Sequence, residues 1–160
     1  MLARGIMSTT VVTLAPSDTL QEASLKLTTG GFSGAPVIDG HGKLVGILSE
    51  TDILRHLKRL ADTELSGRYL ATKAHSLALL VMLADRGHPV VKEMLDHLRH
   101  AMVSEAMTVK VVTGSPGNTM EEIVSLMITH DVNRVPIMEK GVIVGMLTRG
   151  DVVRYIAKPS

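Results

Sequence analysis

Apolar positions in this chain follow a rhythm that occurs twice. Val11-Val12-Thr13 and Val111-Val112-Thr113 are short extended pieces, each leading into a proline turn. Over residues 19–29 and 119–130 the apolar positions return at helical spacing, with Asp18 and Asn118 as candidate N-caps. Apolar runs of strand length follow at 35–38 and 135–138. Tight turns at Asp39-Gly40-His41-Gly42 and Glu139-Lys140-Gly141 join them to second runs at 44–48 and 142–147. Each copy closes with a helix beginning at Ser49 or Thr148. The predicted order is strand, helix, strand, strand, helix. Such a unit buries one sheet face against its helices and leaves the other apolar, so two units are expected to pack sheet to sheet.

The copies align residue by residue. A shift of 100 carries Met7, Val11, Val12, Thr13, Pro16, Thr19, Glu22, Thr29 and Pro36 onto identical residues. After the hairpin turn the shift becomes 99, and Gly46, Ser49, Asp52 and Arg55 meet Gly145, Thr148, Asp151 and Arg154. The repeated device is therefore Gly-x-x-Ser/Thr-x-x-Asp, placed where a strand hands over to a helix. Its plain explanation is a helix cap, with the hydroxyl on first-turn N–H groups and the carboxylate at the positive helix end. Its sharper explanation is a nucleotide site, because the same helix end attracts phosphate and an acid can accept from both hydroxyls of a ribose.

Composition narrows the field. The 160 residues carry a net charge of +1, so no global field argues for nucleic acid or a membrane surface. Cysteine is absent, which excludes disulfides and thiolate chemistry. The start lacks the apolar core of a signal peptide, and no apolar run is long enough to span a bilayer, so a cytoplasmic protein is expected. Phe32, Tyr69 and Tyr155 are the only aromatics. Any base pocket must be walled by aliphatic side chains and Met, and single-strand nucleic-acid platforms drop out. No nucleophile–base pair, P-loop or metal-hydrolase cluster is present, so no enzyme activity is expected.

The ordered set of motifs resembles the CBS (cystathionine-β-synthase) domain, and two in tandem resemble a Bateman module. The resembling residues are Gly5-Ile6-Met7-Ser8 and Glu105-Ala106-Met107-Thr108, Ala35-Pro36-Val37-Ile38-Asp39 and Val135-Pro136-Ile137-Met138-Glu139, and the two Gly-x-x-Ser/Thr-x-x-Asp runs. The resemblance implies an α/β (α+β) fold of two pseudo-symmetric CBS units, 1–55 and 103–160, with a helical-hairpin insert at 56–102. It also implies two clefts between the units that take AMP, ADP, ATP or S-adenosylmethionine as a regulatory ligand, with no other cofactor.

Carried over, the first cleft uses Met7, Ser8, Val11, Val12, Phe32 and Ser33 with Arg134, Thr148, Arg149 and Asp151. The second uses Met107, Thr108, Val111, Val112, Val132 and Asn133 with Gly34, Ser49 and Asp52. Arg134 can fork onto a phosphate and Arg149 adds a second cation. Gly34 supplies no charge at the matching position, and Glu50 repels phosphate, so the first cleft is preferred. The plain alternatives are a surface arginine for Arg134, core packing for the four valines and a solvated lysine for Lys110. Pro36 and Pro136 interrupt their ladders, which is expected to leave backbone groups around Ser33 and Asn133 available to an adenine edge; a simple strand start is the other reading.

The insert carries helical patterns over 68–86 and 90–101, broken at Gly87-His88-Pro89, with Pro89 suited to a first helical turn. In the first pattern Leu77, Leu80, Val81 and Ala84 share a face while Leu79 and Met82 leave it. That wide apolar surface packs either on the CBS units or on a partner. Glu93, His97 and His100 stand at metal-ligand spacing, yet lack a fourth ligand, so a solvated face and no metal site are expected. The function expected is a regulatory ligand-binding module, a homodimer acting on a partner protein in trans. The competing expectation is a structural dimerisation scaffold with unoccupied clefts.

Overall fold

The computed structural model describes residues 1–60, 87 and 89–157. Among these residues the fold is mixed α/β, with six α-helices and two small antiparallel sheets. In chain order these are α1 (Leu20–Gly30), β1 (Gly34–Ile38), β2 (Leu44–Ser49), α2 (Glu50–Leu60), α3 (Pro89–His100), α4 (Val103–Ala106), α5 (Met120–Thr129), β3 (Arg134–Glu139), β4 (Val142–Thr148) and α6 (Arg149–Ile156). A 3-10 turn, Ala3–Gly5, precedes them. The helical pattern at 68–86 lies outside the described residues.

Both α1 and α5 start on a reciprocal cap. Thr19 and Thr119 accept from the backbone N–H of Glu22 and Glu122, whose carboxylates accept from the threonine N–H in return, at 2.8 Å. The expected caps, Asp18 and Asn118, sit one residue early. They accept instead from Ala15 N–H (3.0 Å) and Ser115 N–H (2.7 Å), pinning the proline turns. The deciding signal was the Glu three residues after each Thr.

The chain divides into two compact bodies, and each is assembled from both repeats. The first comprises residues 1–13, 35–47 and 109–160. Its core is Ala3, Ile123, Met127, Val135, Ile137, Leu147 and Val152, so the N-terminal turn of the first repeat is buried among residues of the second. Backbone bonds hold it there: Ala3 N–H to Asn118 C=O at 2.8 Å and Arg4 N–H to Pro116 C=O at 3.2 Å.

The second body comprises residues 14–34 and 48–108 and repeats the arrangement. Val103 N–H donates to Asp18 C=O (2.8 Å) and Ser104 N–H to Pro16 C=O (3.0 Å). These are the same positions displaced by 100. The segment before each repeat thus docks on the helix start of the other. Helix α3 packs on α1 and buries Val91 and Met94, each contributing about 1.5–3 kcal/mol relative to exposure.

Within the first body, β3 and β4 pair with Arg134 opposite Thr148, Pro136 opposite Met146 and Ile137 opposite Gly145. A bulge then shifts the register so that Met138 meets Ile143. The extended pieces predicted at 11–13 and 111–113 do not form regular strands. The second is represented by one parallel bridge, Gly114 to Ile137, in which Gly114 N–H donates to Pro136 C=O at 2.9 Å. Because Pro136 turns its carbonyl to that outer edge, its missing N–H costs the β3–β4 ladder nothing.

Candidate functional site

Each strand-to-helix junction folds into the same compact arrangement. At the second junction, Thr148 N–H and the Thr148 hydroxyl both donate to Asp151 Oδ2, at 2.8 and 2.6 Å, and Asp151 N–H donates back to the hydroxyl oxygen at 3.3 Å. At the first, Ser49 N–H and the Ser49 hydroxyl donate to Asp52 Oδ2 at 2.8 and 2.6 Å. The plain explanation of the motif is therefore real geometry: both runs are capping boxes. It leaves a distinct second oxygen, Oδ1, on each carboxylate. In both copies that oxygen faces the arginine one turn later, Arg154 on Asp151 and Arg55 on Asp52, the latter at 2.8 Å. The arginines were visible as the last identity of the repeat, but capping and ribose chemistry gave them no role.

The two copies differ in what else reaches Oδ1. Thr108, from the segment that docks in the second body, donates its hydroxyl to Asp52 Oδ1 at 3.3 Å. Its counterpart in the first body, Ser8, turns its hydroxyl to its own neighbour, Thr10 C=O, at 3.3 Å. Asp52 is consequently the more enclosed, its side chain 7% exposed against 15% for Asp151. Burial alone pushes the Asp151 carboxyl up. Hydrogen bonds from Thr148 and from the Arg154 guanidinium outweigh it, so Asp151 stays below the usual carboxylate range.

Eight of the ten residues expected in the first cleft lie in the first body: Met7, Ser8, Val11, Val12, Arg134, Thr148, Arg149 and Asp151. Ser8 and Met146 exchange backbone hydrogen bonds at 2.9 Å, which sets Met7 against Gly145. A Cβ on Gly145 would stand 2.5 Å from Met7 Sδ and 3.1 Å from Ser8 C=O, so only glycine lets this segment approach. Half-buried Arg134 opposes Thr148 across the ladder, on the same sheet face. Arg149 is exposed. Phe32 and Ser33 belong to the second body, where the Phe32 ring occupies the space beside Gly30.

Of the second set, Met107, Thr108, Gly34, Ser49 and Asp52 lie in the second body, and Val111, Val112, Val132 and Asn133 in the first. All four valines at 11, 12, 111 and 112 are half-buried, and Lys110 is exposed.

The carbonyls of Ser33 and Asn133 each accept from the start of a closing helix, from Glu50 N–H at 3.0 Å and from Arg149 N–H at 2.9 Å. The first residue of each closing helix uses that carbonyl to satisfy one of its otherwise orphaned amides.

The first body also contains a hollow of about 260 Å3 walled by Thr9, Val11, Thr13, Ile38, Gly42, Val142 and Ile143. Ligand pockets begin near roughly 300 Å3, so it suits part of a ligand at most. Neither Thr148 nor Asp151 is among its walls. Thr9 and Thr13 were missed in the sequence, although their alternation with Val11 along an extended segment was the available signal.

Among the described residues no three His, Asp or Glu side chains converge as metal ligands. Glu93, His97 and His100 do not act together: His97 Nε2 meets His56 Nε2 at 3.3 Å, and His100 Nδ1 meets its own helix at Asp96 C=O. His56 is buried at 8% exposure. Burial first, then His97 and Arg59, hold its pKa below the ordinary 6.5, against an opposing pull from Glu105. The unfolded chain therefore takes up a proton that the folded chain refuses. Stability should fall as pH drops below about 6.5 and level off once pH passes the lower folded pKa. Urea midpoints between about pH 7.5 and pH 5 check this, and His56→Gln should flatten the slope.

Comparison with known proteins agrees with this architecture. The CBS domain matches residues 3–59 and again 103–158, and the chain belongs to the CBS-domain family as a tandem pair. Protein MJ1426 of Methanocaldococcus jannaschii is 29% identical over 160 residues, covering 98% of this chain and 91% of that protein. The CBS domain pair of protein MJ0100, solved in complex with 5′-methylthioadenosine and S-adenosyl-L-methionine, aligns with a TM-score of 0.70 at 20% identity, covering 98% of this chain and 100% of that one. CBSX2, solved in complex with AMP, aligns with a TM-score of 0.66 at 22% identity, covering 97% and 95%. Among the described residues no helix is long and apolar enough to cross a membrane.

Proposed function

We propose that this protein is a regulatory module that binds an adenine nucleotide between its two repeats and acts on a partner protein in trans, as a homodimer and without catalysis of its own. The observation that carries the reading is the split use of each junction carboxylate. Oδ2 is fixed by the first helical turn, while among the described residues Oδ1 is addressed by side chains, Arg154 on Asp151 and Arg55 with Thr108 on Asp52. A ribose diol donating to a carboxylate so held gains charge-assisted hydrogen bonds without having to order the acid. The adenosyl ligands of the MJ0100 pair and the AMP of CBSX2 support the ligand class.

The junction at Asp151 is the preferred one. Arg134 stands across the ladder from Thr148, and Met7 with Ser8 runs along the edge of β4, so cation, hydroxyl, acid and apolar wall gather in one body. Asp52 is more enclosed, already bonded by Thr108, flanked by Glu50 and matched with Gly34 where Arg134 would stand. The second site is therefore empty, weaker, or suited to a less charged ligand. A structural scaffold is the second reading, favoured by the capping boxes, which account for both motifs with no ligand. A thermal-shift screen separates them. A nucleotide at a hundred times its Kd adds about 2.7 kcal/mol, roughly 5–10 °C at this chain length. That shift is expected with AMP, ADP or ATP, whereas no shift with these or with S-adenosylmethionine would favour the scaffold.

A further inference from the structure

Arg154 has no part in the site as read so far, yet its guanidinium occupies the oxygen that a ribose needs. It donates to Asp151 Oδ1, the one carboxylate oxygen that Thr148 leaves unanchored. Its other terminal nitrogen lies 3.4 Å from where a Cβ on Gly150 would stand, so the side chain folds back over the first turn of α6. A Cβ there would only touch it, and the first repeat makes the same pair with Thr51 at the matching position. A cation at a helix N-terminus sits at the unfavourable end of the dipole. The side chain is 71% exposed, so water screens its pairing with Asp151. Among the described residues Asp151 is the partner of Arg154, and it holds the side chain weakly.

We infer that Arg154 is a built-in competitor for the ribose diol, a guanidinium cap that must leave Asp151 Oδ1 before an adenosine moiety binds. The inference rests on the nucleotide reading above and extends it. Arg55 on Asp52 repeats the arrangement, there doubled by the Thr108 hydroxyl. The competition costs the ligand the opening of one exposed ion pair, a two- to fivefold weakening in round terms (about the range such pairs span).

Adenosine is the probe that isolates the effect, because it is neutral and its own contacts do not depend on salt. Opening an Arg–Asp pair does: screening weakens the pair, so adenosine should bind the native protein more tightly as salt rises from about 0.05 to about 0.5 M. Titration calorimetry should find Arg154→Ala binding adenosine about two- to fivefold more tightly than the native chain at low salt, with the salt dependence gone. Arg154→Lys should restore part of both. If adenosine binds the native chain and Arg154→Ala equally, with the same response to salt, the competitor is overturned and the nucleotide site stands. If no adenine compound binds either protein, the nucleotide reading itself falls and the competitor with it.

Discussion

Asp151→Ala is expected to remove the nucleotide-induced stabilisation almost entirely while leaving a folded protein. Hydrogen bonds to a charged group contribute about 1.5–3 kcal/mol each. Losing two from a ribose diol therefore weakens binding at least about a hundredfold, and a thermal shift of roughly 5–10 °C collapses at the same ligand concentration. The carboxylate also completes the cap of α6, so the unliganded variant should melt a few degrees lower, in line with about 1 kcal/mol for a lost cap. The relevant quantity is the increment that ligand adds to each protein. Asp52→Ala, at the enclosed junction, should keep most of that increment. Equal increments from native protein and Asp151→Ala would show that the nucleotide is held elsewhere.

The second large effect concerns how the site is brought together. Gly145→Val should destabilise the fold by about 3 kcal/mol, at the upper end of what overpacking costs, and lower the melting temperature by roughly 5–10 °C. A Cβ there would meet Met7 Sδ at 2.5 Å and Met7 Cγ at 2.8 Å. The thioether can swing aside, but Ser8 C=O at 3.1 Å is backbone and part of the bridge to Met146. Relief therefore comes by peeling residues 7 and 8 off β4, which removes an expected wall of the first site. Nucleotide affinity should fall with stability in this variant. In Ile137→Ala, a core cavity on the opposite strand costing about 2–5 kcal/mol, affinity should fall far less at temperatures where the protein is folded. Equal affinity losses in the two variants would contradict a role for the docked segment.

Much of this was legible in the chain. The helices α1, α3 and α5, the starts of α2 and α6, and the four ladder strands fall within a residue or two of where periodicity put them, because those elements are specified locally by apolar spacing and glycine turns; the short α4 was not foreseen. Both junction devices were legible for the same reason, since a Ser or Thr three residues before Asp makes a short-range cap.

What escaped was non-local. Nothing in the period of residues 3 and 4 announces that they bond to residues 118 and 116, and the same holds for 103 and 104 with residues 18 and 16. That exchange puts Met7 and Ser8 in one body with Asp151, and Thr108 on Asp52. The bond from each closing helix back to the carbonyl of Ser33 or Asn133 also escaped, because it joins the residue before one strand to the residue after the next. The arginines of the devices were seen as identities but not as occupants of the acid, because an i,i+3 pair is ordinary on a helix surface until both acid oxygens are accounted for.

The most direct measurement is a crystal structure with AMP at saturating concentration. Density for the ribose with both hydroxyls on Asp151 Oδ1 and the phosphate reaching Arg134 is the result this account predicts. AMP bound away from Asp151, or no bound AMP beside an unchanged Arg154–Asp151 pair, would contradict it.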